Sequence, residues 1–173
     1  MTNIFIASST AAKPQAKAFI KGCSREGVKF FPWWDEITAG RTLLGELTRI
    51  GRKVQRAIVI LTPESATQIR SHKQPIPNLN VLFEFGFFYS ALGPDHVAVV
   101  RYGQVYLPSD LDGYIHINGS AHFSRGSAVK VGKQTKTEFE RWLNNYKALW
   151  DDLNARNPQA NADTPAETSG AAK

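Results

Sequence analysis

The chain has 173 residues and a formal net charge of +6, and this length suits one domain with a substantial apolar core. Its single cysteine, Cys23, excludes a disulfide framework, and its four histidines lack the spacing of metal ligands, so no metal site is predicted. The sequence starts without a signal-peptide pattern and has no apolar run near the ~20 residues of a membrane helix, so we expect a cytoplasmic protein without a membrane partner.

Short β-type runs alternate with helical stretches along the chain. The patterns predict strands over residues 3–7, 28–31, 57–61, 97–101 and 114–117, and helices over residues 13–22, 41–54, 80–92 and 137–153. Thr137 and Glu140 have the spacing of a capping box that would start the last helix. The stretch between the third strand and the third helix, residues 63–77, is predicted to be a long polar loop.

This alternation predicts a three-layer α/β domain, with a mostly parallel five-stranded sheet covered by helices on both faces. Five strands at this length favour a flavodoxin-like order. We expect the domain to span residues 1–153. Residues 154–173 lack any apolar periodicity and are expected to form a disordered tail or linker.

Basic residues cluster at the end of the helix predicted over residues 41–54 and just beyond it. We interpret Arg49, Arg52, Lys53 and Arg56 as the solvated side of an amphipathic helix, because the apolar positions there recur every three or four residues. Charge alone would permit nucleic-acid binding. No recognition motif accompanies the cluster, so we do not expect a nucleic-acid partner.

Polar and aromatic side chains follow several of the predicted strands. Ser8 and Ser9 follow the first strand, Trp33 and Trp34 follow the second, and Asp110 lies in the loop after the fourth. Ligands of open α/β sheets bind outside the carboxyl ends of the strands, where the strand order reverses. We therefore expect these side chains to converge on one edge of the sheet.

Glu84 is the only charged residue between Asn80 and Leu92. A carboxylate in so apolar a helix must be paired, protonated or facing a cavity, and Asn80 shares its helical face. Two interpretations stay open: an acid that works in a pocket, or a buried Glu that an Arg or Lys from another element neutralises. Burial would raise the pKa of the Glu84 carboxyl.

Four segments in a fixed order carry a resemblance to a known family. They are Ile4-Phe5-Ile6-Ala7-Ser8-Ser9, Ile58-Val59-Ile60-Leu61-Thr62-Pro63, Asn80-Val81-Leu82-Phe83-Glu84-Phe85-Gly86 and Leu107-Pro108-Ser109-Asp110-Leu111. Together they resemble the bacterial TIR-like, predicted nucleotide-binding family, whose members act as NAD-cleaving effectors in antiphage systems of the CBASS and Pycsar type. The resemblance implies an NAD+ nucleosidase on a TIR-type flavodoxin-like fold, with NAD+ as substrate and no separate cofactor.

The resemblance also assigns roles to residues. The family's essential glutamate corresponds to Glu84, and the aspartate of its Pro-Ser-Asp-Leu segment corresponds to Asp110. Members commonly have Arg-Asp-Asn before the apolar helix, whereas this chain has Asn78-Leu79-Asn80 and retains only the final Asn. Many members also have two acids after Leu-Thr-Pro, where this chain has Glu64-Ser65.

The remaining candidates are expected to bind substrate. Ser8 and Ser9 would lie near a phosphate or ribose at the start of the first helix, and Asn80 would lie beside Glu84. Trp33 or Trp34 could stack on a flat ring, although the alternative is that one Trp belongs to the core and the other covers a helix.

Two other functions stay open at this point. One is a non-catalytic TIR-like module for nucleotide binding or self-association, and the other is a nucleoside deoxyribosyltransferase-like enzyme in which the glutamate is a covalent nucleophile. The resemblance further implies activation through a homo-oligomer that completes the pocket. We expect the activating signal to come from a separate sensor or cyclic-nucleotide-responsive partner, unless the chain is a fragment of a longer effector.

Overall fold

A computed structural model describes residues 1–38, 40–108, 116–119, 121–122 and 130–156. Its strands are β1 Thr2–Ala7, β2 Val28–Pro32, β3 Arg56–Leu61, β4 Ser65–Ile69, β5 His72–Ile76, β6 Val97–Tyr102, β7 His116–Gly119, β8 Ala121–His122 and β9 Lys130–Val131. Its helices are α1 Lys13–Cys23, α2 Trp33–Glu36, α3 Leu43–Gly51, α4 Leu79–Leu92 and α5 Lys133–Arg156. None of the described helices is both long enough and apolar enough to cross a membrane.

Five strands form one parallel sheet in the order β2-β1-β3-β6-β7. When only the five strands of this sheet are numbered along the chain, their order is 2-1-3-4-5, which is the flavodoxin-like arrangement. The predicted fold, a flavodoxin-like three-layer α/β domain with a five-stranded parallel sheet, is therefore confirmed. β7 begins at His116, two residues after the predicted start of the fifth strand, and residues 109–115 lie outside the described part of the chain.

Alternate residues of the strands supply two separate cores. Phe5 and Ala7 of β1 face a cluster with α3 and α4, whereas Ile4 and Ile6 face a cluster with α1 and α5. Both faces of the central strands are thus buried, which explains the nearly continuous apolar sequence of β3. The two clusters are the reason that the sheet has a helical layer on each side.

The position of α4 follows from its connections. It links β3 to β6, which are parallel neighbours, so it must run back across the face of the sheet in the opposite direction to the strands. Its first turns therefore lie at the carboxyl edge of the sheet, and its last turn lies at the amino edge. The start of α4 is thereby brought close to the loops that follow β1 and β3.

The stretch predicted as a long polar loop instead contains a β-hairpin of β4 and β5, with Arg70 and Ser71 at its turn. The hairpin was missed because its residues are polar and mostly exposed, so no apolar alternation marks it. Main-chain bonds fix it at its base: Glu64 N–H donates to the Ile76 carbonyl at 3.1 Å, and Tyr106 N–H donates to the Pro75 carbonyl at 2.7 Å.

Two helices differ from their predicted bounds by more than one residue. α3 is shorter than residues 41–54 because the Thr42 side chain caps it, accepting the Gly45 N–H at 3.2 Å. α5 begins at Lys133, so the predicted capping box at Thr137 is wrong: the Thr137 hydroxyl lies inside the helix and donates to the Lys133 carbonyl at 3.2 Å. The predicted domain limit at residue 153 stays a prediction, since residues 157–173 lie outside the described part.

The basic cluster is divided between two environments. Arg52 and Lys53 are exposed, and Arg49 is partly exposed, as expected for a solvated helix side. Arg56 is different, because it is the first residue of β3 and only 2% exposed. The interpretation of Arg56 as a solvated residue is therefore wrong.

Candidate functional site at the carboxyl edge of the sheet

Glu84 lies in the second turn of α4, on the helical face that packs against the sheet. This face also carries Val81, Phe85 and Phe88, and Glu84 is only 7% exposed among them. Asn80 precedes it by one turn and is exposed, with its N–H donating to the Asn78 side chain at 3.0 Å. The carboxyl group of Glu84 is therefore enclosed just below the edge of the sheet.

Within the described part of the chain, no basic side chain compensates the charge of Glu84. Its Oε2 atom is buried and accepts no hydrogen bond from the described residues. No Lys, Arg or His in the described part of the chain forms an ion pair with it. Burial raises the pKa of the Glu84 carboxyl to about 7. The sequence left open whether an Arg or Lys from another element neutralises Glu84. The described residues supply no such partner.

A second carboxylate, Glu64, joins three segments at the point where the strand order reverses. Its Oε1 atom accepts hydrogen bonds from the hydroxyls of Ser9 and, at 3.1 Å, of Thr62. Its Oε2 atom accepts from the Asn78 side chain at 3.3 Å. Asn78 is the N-cap of α4, and Ser9 follows β1. One side chain thus holds together the loops after β1 and β3 and the start of the helix that carries Glu84.

Sequence reasoning did not place Glu64 among the candidate site residues. One signal was present, because Glu64 comes directly after a fully buried strand and is the first charged residue beyond it. Its partners, however, come from segments up to 55 residues away, and no local spacing reveals such a set. We interpret Glu64 as a positioning residue at this edge.

The hydrogen bonds of Glu64 should contribute measurably to stability. We expect Glu64→Ala to lower the free energy of unfolding by about 1–2 kcal/mol, because it removes a charged acceptor from several donors at once. Ser9→Ala removes one of the same hydrogen bonds, so the effects of the two substitutions on the free energy of unfolding should not add. We expect a coupling energy of about 0.5–1 kcal/mol in a double-mutant cycle. Urea unfolding of the single and double variants measures this coupling.

The neighbouring exposed residue Thr10 provides the control for this cycle. Its side chain is not among the partners of Glu64, so Thr10→Ala and Glu64→Ala should be additive within about 0.5 kcal/mol. Equal coupling of Ser9 and Thr10 to Glu64 would contradict the positioning role.

The two tryptophans face opposite sides of the sheet edge. The Trp33 ring N–H donates to the Ser8 hydroxyl at 3.0 Å, and Trp33 packs against the same cluster as α4. Trp34 packs against the α1 and α5 cluster instead, and Lys13 Nζ lies 4.8 Å from its ring centroid. Both belong to α2, a single helical turn that the sequence patterns did not predict. Trp33 is thus the tryptophan that shares a side with Glu84.

The segment between α2 and α3 is fixed by an ion-pair network. Glu46 is 1% exposed and accepts bonds from Arg49 at 2.9 Å and from the Thr38 N–H at 3.2 Å. The bond from Arg49 is the main reason that the pKa of Glu46 is lowered. Glu36, at the end of α2, pairs with Lys53 at 2.8 Å. Arg49 of α3 also donates to the Glu36 carbonyl at 2.6 Å, and this bond anchors the turn that carries the tryptophans to α3.

The structure brings the predicted site residues together only in part. Ser8 contacts Trp33, and Ser9 is linked through Glu64 to the start of α4. No hydrogen bond between described residues joins these groups to Glu84, and Asp110 lies outside the described part of the chain. No group of three or more potential metal ligands occurs among the described residues.

The fold and this edge define a class of protein: a flavodoxin-like α/β domain with an enclosed carboxyl group, below the carboxyl ends of its strands, whose Oε2 atom has no hydrogen-bond partner among the described residues. A family model matches residues 3–121, and its description reads CAP12/Pycsar effector protein, TIR domain. The chain belongs to this family, and the predicted resemblance to CBASS- and Pycsar-type effectors is confirmed.

Curated relatives agree with this assignment. CD-NTase-associated protein 12 of Sphingobacterium faecium is 33% identical over 88 residues, which cover 51% of this chain and 27% of the relative. The protein of the same name from Flavobacterium daejeonense is 32% identical over 115 residues, which cover 65% of this chain and 36% of the relative. The uncharacterized protein YuaY of Escherichia coli K12 is 31% identical over 101 residues, which cover 57% of this chain and 34% of the relative. The matches therefore span only about a third of the relatives' length.

Proposed function

We propose that this chain is the NAD+-cleaving domain of an antiphage effector and hydrolyses the ribosyl–nicotinamide bond to ADP-ribose and nicotinamide. The observation that supports this most directly is the Glu84 carboxyl, which is enclosed, lacks a described cationic partner and has its pKa raised to about 7. Membership in the CAP12/Pycsar effector TIR family supports the antiphage context.

The chemistry of the bond explains how one carboxylate can suffice. Cleavage generates an oxocarbenium-like centre on the ribose, and an adjacent carboxylate stabilises that positive charge. Nicotinamide is already cationic in NAD+ and leaves as a neutral molecule, so no general acid is needed. In our proposal, ionised Glu84 accepts hydrogen bonds from the ribose hydroxyls and stabilises the cationic centre while water attacks. An enclosed site strengthens this electrostatic interaction.

The other predicted residues are proposed to bind substrate around Glu84. The hydrogen bond from Trp33 to Ser8 fixes the Trp33 ring beside the loop after β1, where it could stack on a flat ring of the substrate. Ser9 is held by Glu64 and would lie with Ser8 near a ribose or phosphate. Asn80 is exposed one turn before Glu84 and suits a contact to a ribose hydroxyl. Asp110 keeps its predicted substrate-binding role as a proposal, and so does Trp34, although Trp34 packs on the α1 and α5 side and Trp33 is the tryptophan on the side of Glu84.

The activity of such a domain must be regulated, because an NADase that is always active would harm its host. The names of the relatives, CD-NTase-associated protein 12, support a setting in which a nucleotidyltransferase product gives the signal. We propose that a homo-oligomer is the active form and that a cyclic-nucleotide-responsive partner or domain promotes it.

Nicotinamide release from NAD+ tests the proposed function. The purified protein is assayed at high concentration with a crowding agent, which favours self-association without the natural signal. Release of nicotinamide with formation of ADP-ribose supports the proposal. Binding of NAD+ without release would favour the non-catalytic module, and base exchange on deoxynucleosides without NAD+ cleavage would favour the deoxyribosyltransferase-like enzyme.

The pH dependence of this activity should report the ionisation of Glu84. If the ionised form is the active one, kcat/KM should rise about tenfold per pH unit below 7 and level off above the pKa of about 7. A pH series from 5 to 9 measures the midpoint. Glu64→Gln should retain this midpoint, since Glu64 is not the titrating group in our proposal. A rate that instead falls between pH 6 and 8 would mean that Glu84 acts in its protonated form.

A further inference from the structure

Arg101 is the only charged residue of β6, and it lies near the carboxyl end of that strand. Alternate residues of β6 face opposite sides of the sheet: Val99 packs in the cluster with α3 and α4, whereas Val100 packs in the cluster with α1 and α5. Arg101 shares the side of Val99, because side chains two residues apart in a strand point the same way. Its side chain therefore leaves the sheet on the face that carries α4 and Glu84.

The level of Glu84 in the sheet follows from the packing of α4 on β1. The ring centroid of Phe88 lies 4.8 Å from that of Phe5. Glu84 precedes Phe88 by four residues, which places it ~6 Å nearer the carboxyl edge. Ala7 lies ~7 Å beyond Phe5 in the same direction and on the same face of the sheet. The backbone of Glu84 is therefore about level with Ala7, the last residue of β1.

The register of the parallel strands extends this level to β6. Ala7 pairs with Val59 of β3, and Val59 pairs with Val99 of β6. Arg101 comes two residues after Val99, so its backbone lies ~7 Å closer to the carboxyl edge than this level and ~10 Å across the sheet from β1. Arg101 therefore lies at the rim of the site, above the level of Glu84.

The guanidinium of Arg101 is available to a ligand. Arg101 is partly exposed, none of its nitrogen atoms is an enclosed atom without a partner, and its guanidinium forms no hydrogen bond or ion pair with the described residues. Lys13 is another cation near this edge, but its amine lies 4.8 Å from the ring centroid of Trp34, which packs on the α1 and α5 side. Arg101 thus offers an accessible positive charge on the side of Glu84.

Negative charge is already concentrated at this edge. Glu64 and Glu84 both lie there, and neither forms an ion pair with a described basic residue. NAD+ adds a doubly charged pyrophosphate, which is attached to the same ribose that releases nicotinamide. Two carboxylates would repel it unless a cation offsets them. Arginine suits this task, because its planar guanidinium donates paired N–H groups to phosphate oxygens.

Building on the proposed function, we propose that Arg101 binds the pyrophosphate of NAD+. In this role Arg101 makes the domain specific for NAD+ over nicotinamide riboside, which has the same ribosyl–nicotinamide bond without the phosphates. Glu84 acts on the reacting bond, and Arg101 determines which molecules present that bond with useful affinity.

Binding of ADP-ribose tests this role without any turnover, because ADP-ribose has the pyrophosphate of NAD+ but no bond to nicotinamide. We expect Arg101→Met to weaken ADP-ribose binding to the full chain about 10- to 100-fold, since hydrogen bonds to charged groups are worth about that factor. Isothermal titration calorimetry measures both affinities. A wild-type chain that does not bind ADP-ribose, or equal affinities of the two proteins, would overturn the proposal.

Two further variants identify the contribution of the charge and of its geometry. Lys17→Met is the matched control, because it removes one exposed charge from α1 on the other face of the sheet, and it should change the ADP-ribose affinity by less than about 3-fold. Arg101→Lys keeps the charge without the paired N–H groups and should give an intermediate affinity. Equal weakening by Lys17→Met contradicts the proposal. Should Arg101→Met fail to fold, an unchanged affinity of Arg101→Lys does so.

Steady-state kinetics separate this proposal from the proposed function. Arg101→Met should raise KM for NAD+ about 10- to 100-fold with kcat changed by less than about 3-fold, and it should leave kcat/KM for nicotinamide riboside unchanged. Nicotinamide release with an unaltered KM in Arg101→Met would keep the NADase function and remove Arg101 from it. Arg101-dependent binding of ADP-ribose by a chain that releases no nicotinamide would support the pyrophosphate site and contradict the proposed hydrolysis.

Discussion

Glu84→Gln is expected to release nicotinamide from NAD+ about 10²–10³-fold more slowly than the wild-type chain, which is the usual cost of removing one electrostatic contact to a developing charge. Glutamine keeps the size of the side chain and can still accept a hydrogen bond, but it cannot stabilise a cationic ribose. The loss should therefore appear in kcat more than in KM. Steady-state nicotinamide release, measured for both proteins in the presence of the crowding agent, gives the ratio.

Glu64→Gln is the matched control for this loss. It neutralises a second carboxylate at the same edge while keeping an acceptor for Ser9 and Thr62. We expect it to reduce activity by no more than about 10-fold, because in our proposal Glu64 positions its neighbours without facing the reacting bond. Wild-type activity in Glu84→Gln would remove Glu84 from the mechanism even if the chain does cleave NAD+.

The same Glu84→Gln substitution is expected to stabilise the fold above pH 7. Between pH 4.5, the ordinary carboxyl pKa, and about 7 in the folded chain, the unfolded chain has lost the Glu84 proton while the native chain still holds it. Native Glu84 therefore binds more protons than unfolded Glu84, and stability falls as the pH rises through this window. The cost at pH 8 is about 3 kcal/mol, from 2.5 pH units at about 1.4 kcal/mol each.

Urea unfolding of the two proteins at a series of pH values measures this effect. The difference in the free energy of unfolding should be near zero at pH 4.5 and should approach about 3 kcal/mol in favour of Gln at pH 8. This is a large fraction of the ~5–15 kcal/mol that stabilises a typical domain. A difference that does not change with pH would show that burial does not suppress the ionisation of Glu84.

The sheet and the central carboxylate were predictable from the sequence because each rests on a local signal. Residues 57–61 of β3 are an aliphatic run, as expected for a strand covered on both faces, and Glu84 is the one charge in α4. The hairpin of β4 and β5 was not predictable in this way, because it is held by main-chain bonds and has no apolar face.

The residues around the site were harder to predict because their roles depend on distant partners. Glu64 gains its role from Ser9 and Asn78, which lie on two other segments. Arg56 was misjudged because it follows a helix with basic residues at its end, and only the fold shows that it begins a buried strand. A single sequence gives the elements and their faces, whereas the pairing of polar side chains requires the fold.

The bonds at the base of the hairpin also determine where another strand could add to it. Exposed edges of a sheet offer unpaired main-chain groups to other chains. On β5, Pro75 has no N–H, and its carbonyl already accepts the Tyr106 N–H, so that edge is blocked near the base of the hairpin. Lys73 adds a charge to the same strand. Within the described part of the chain, strand addition to the hairpin is therefore confined to the outer edge of β4.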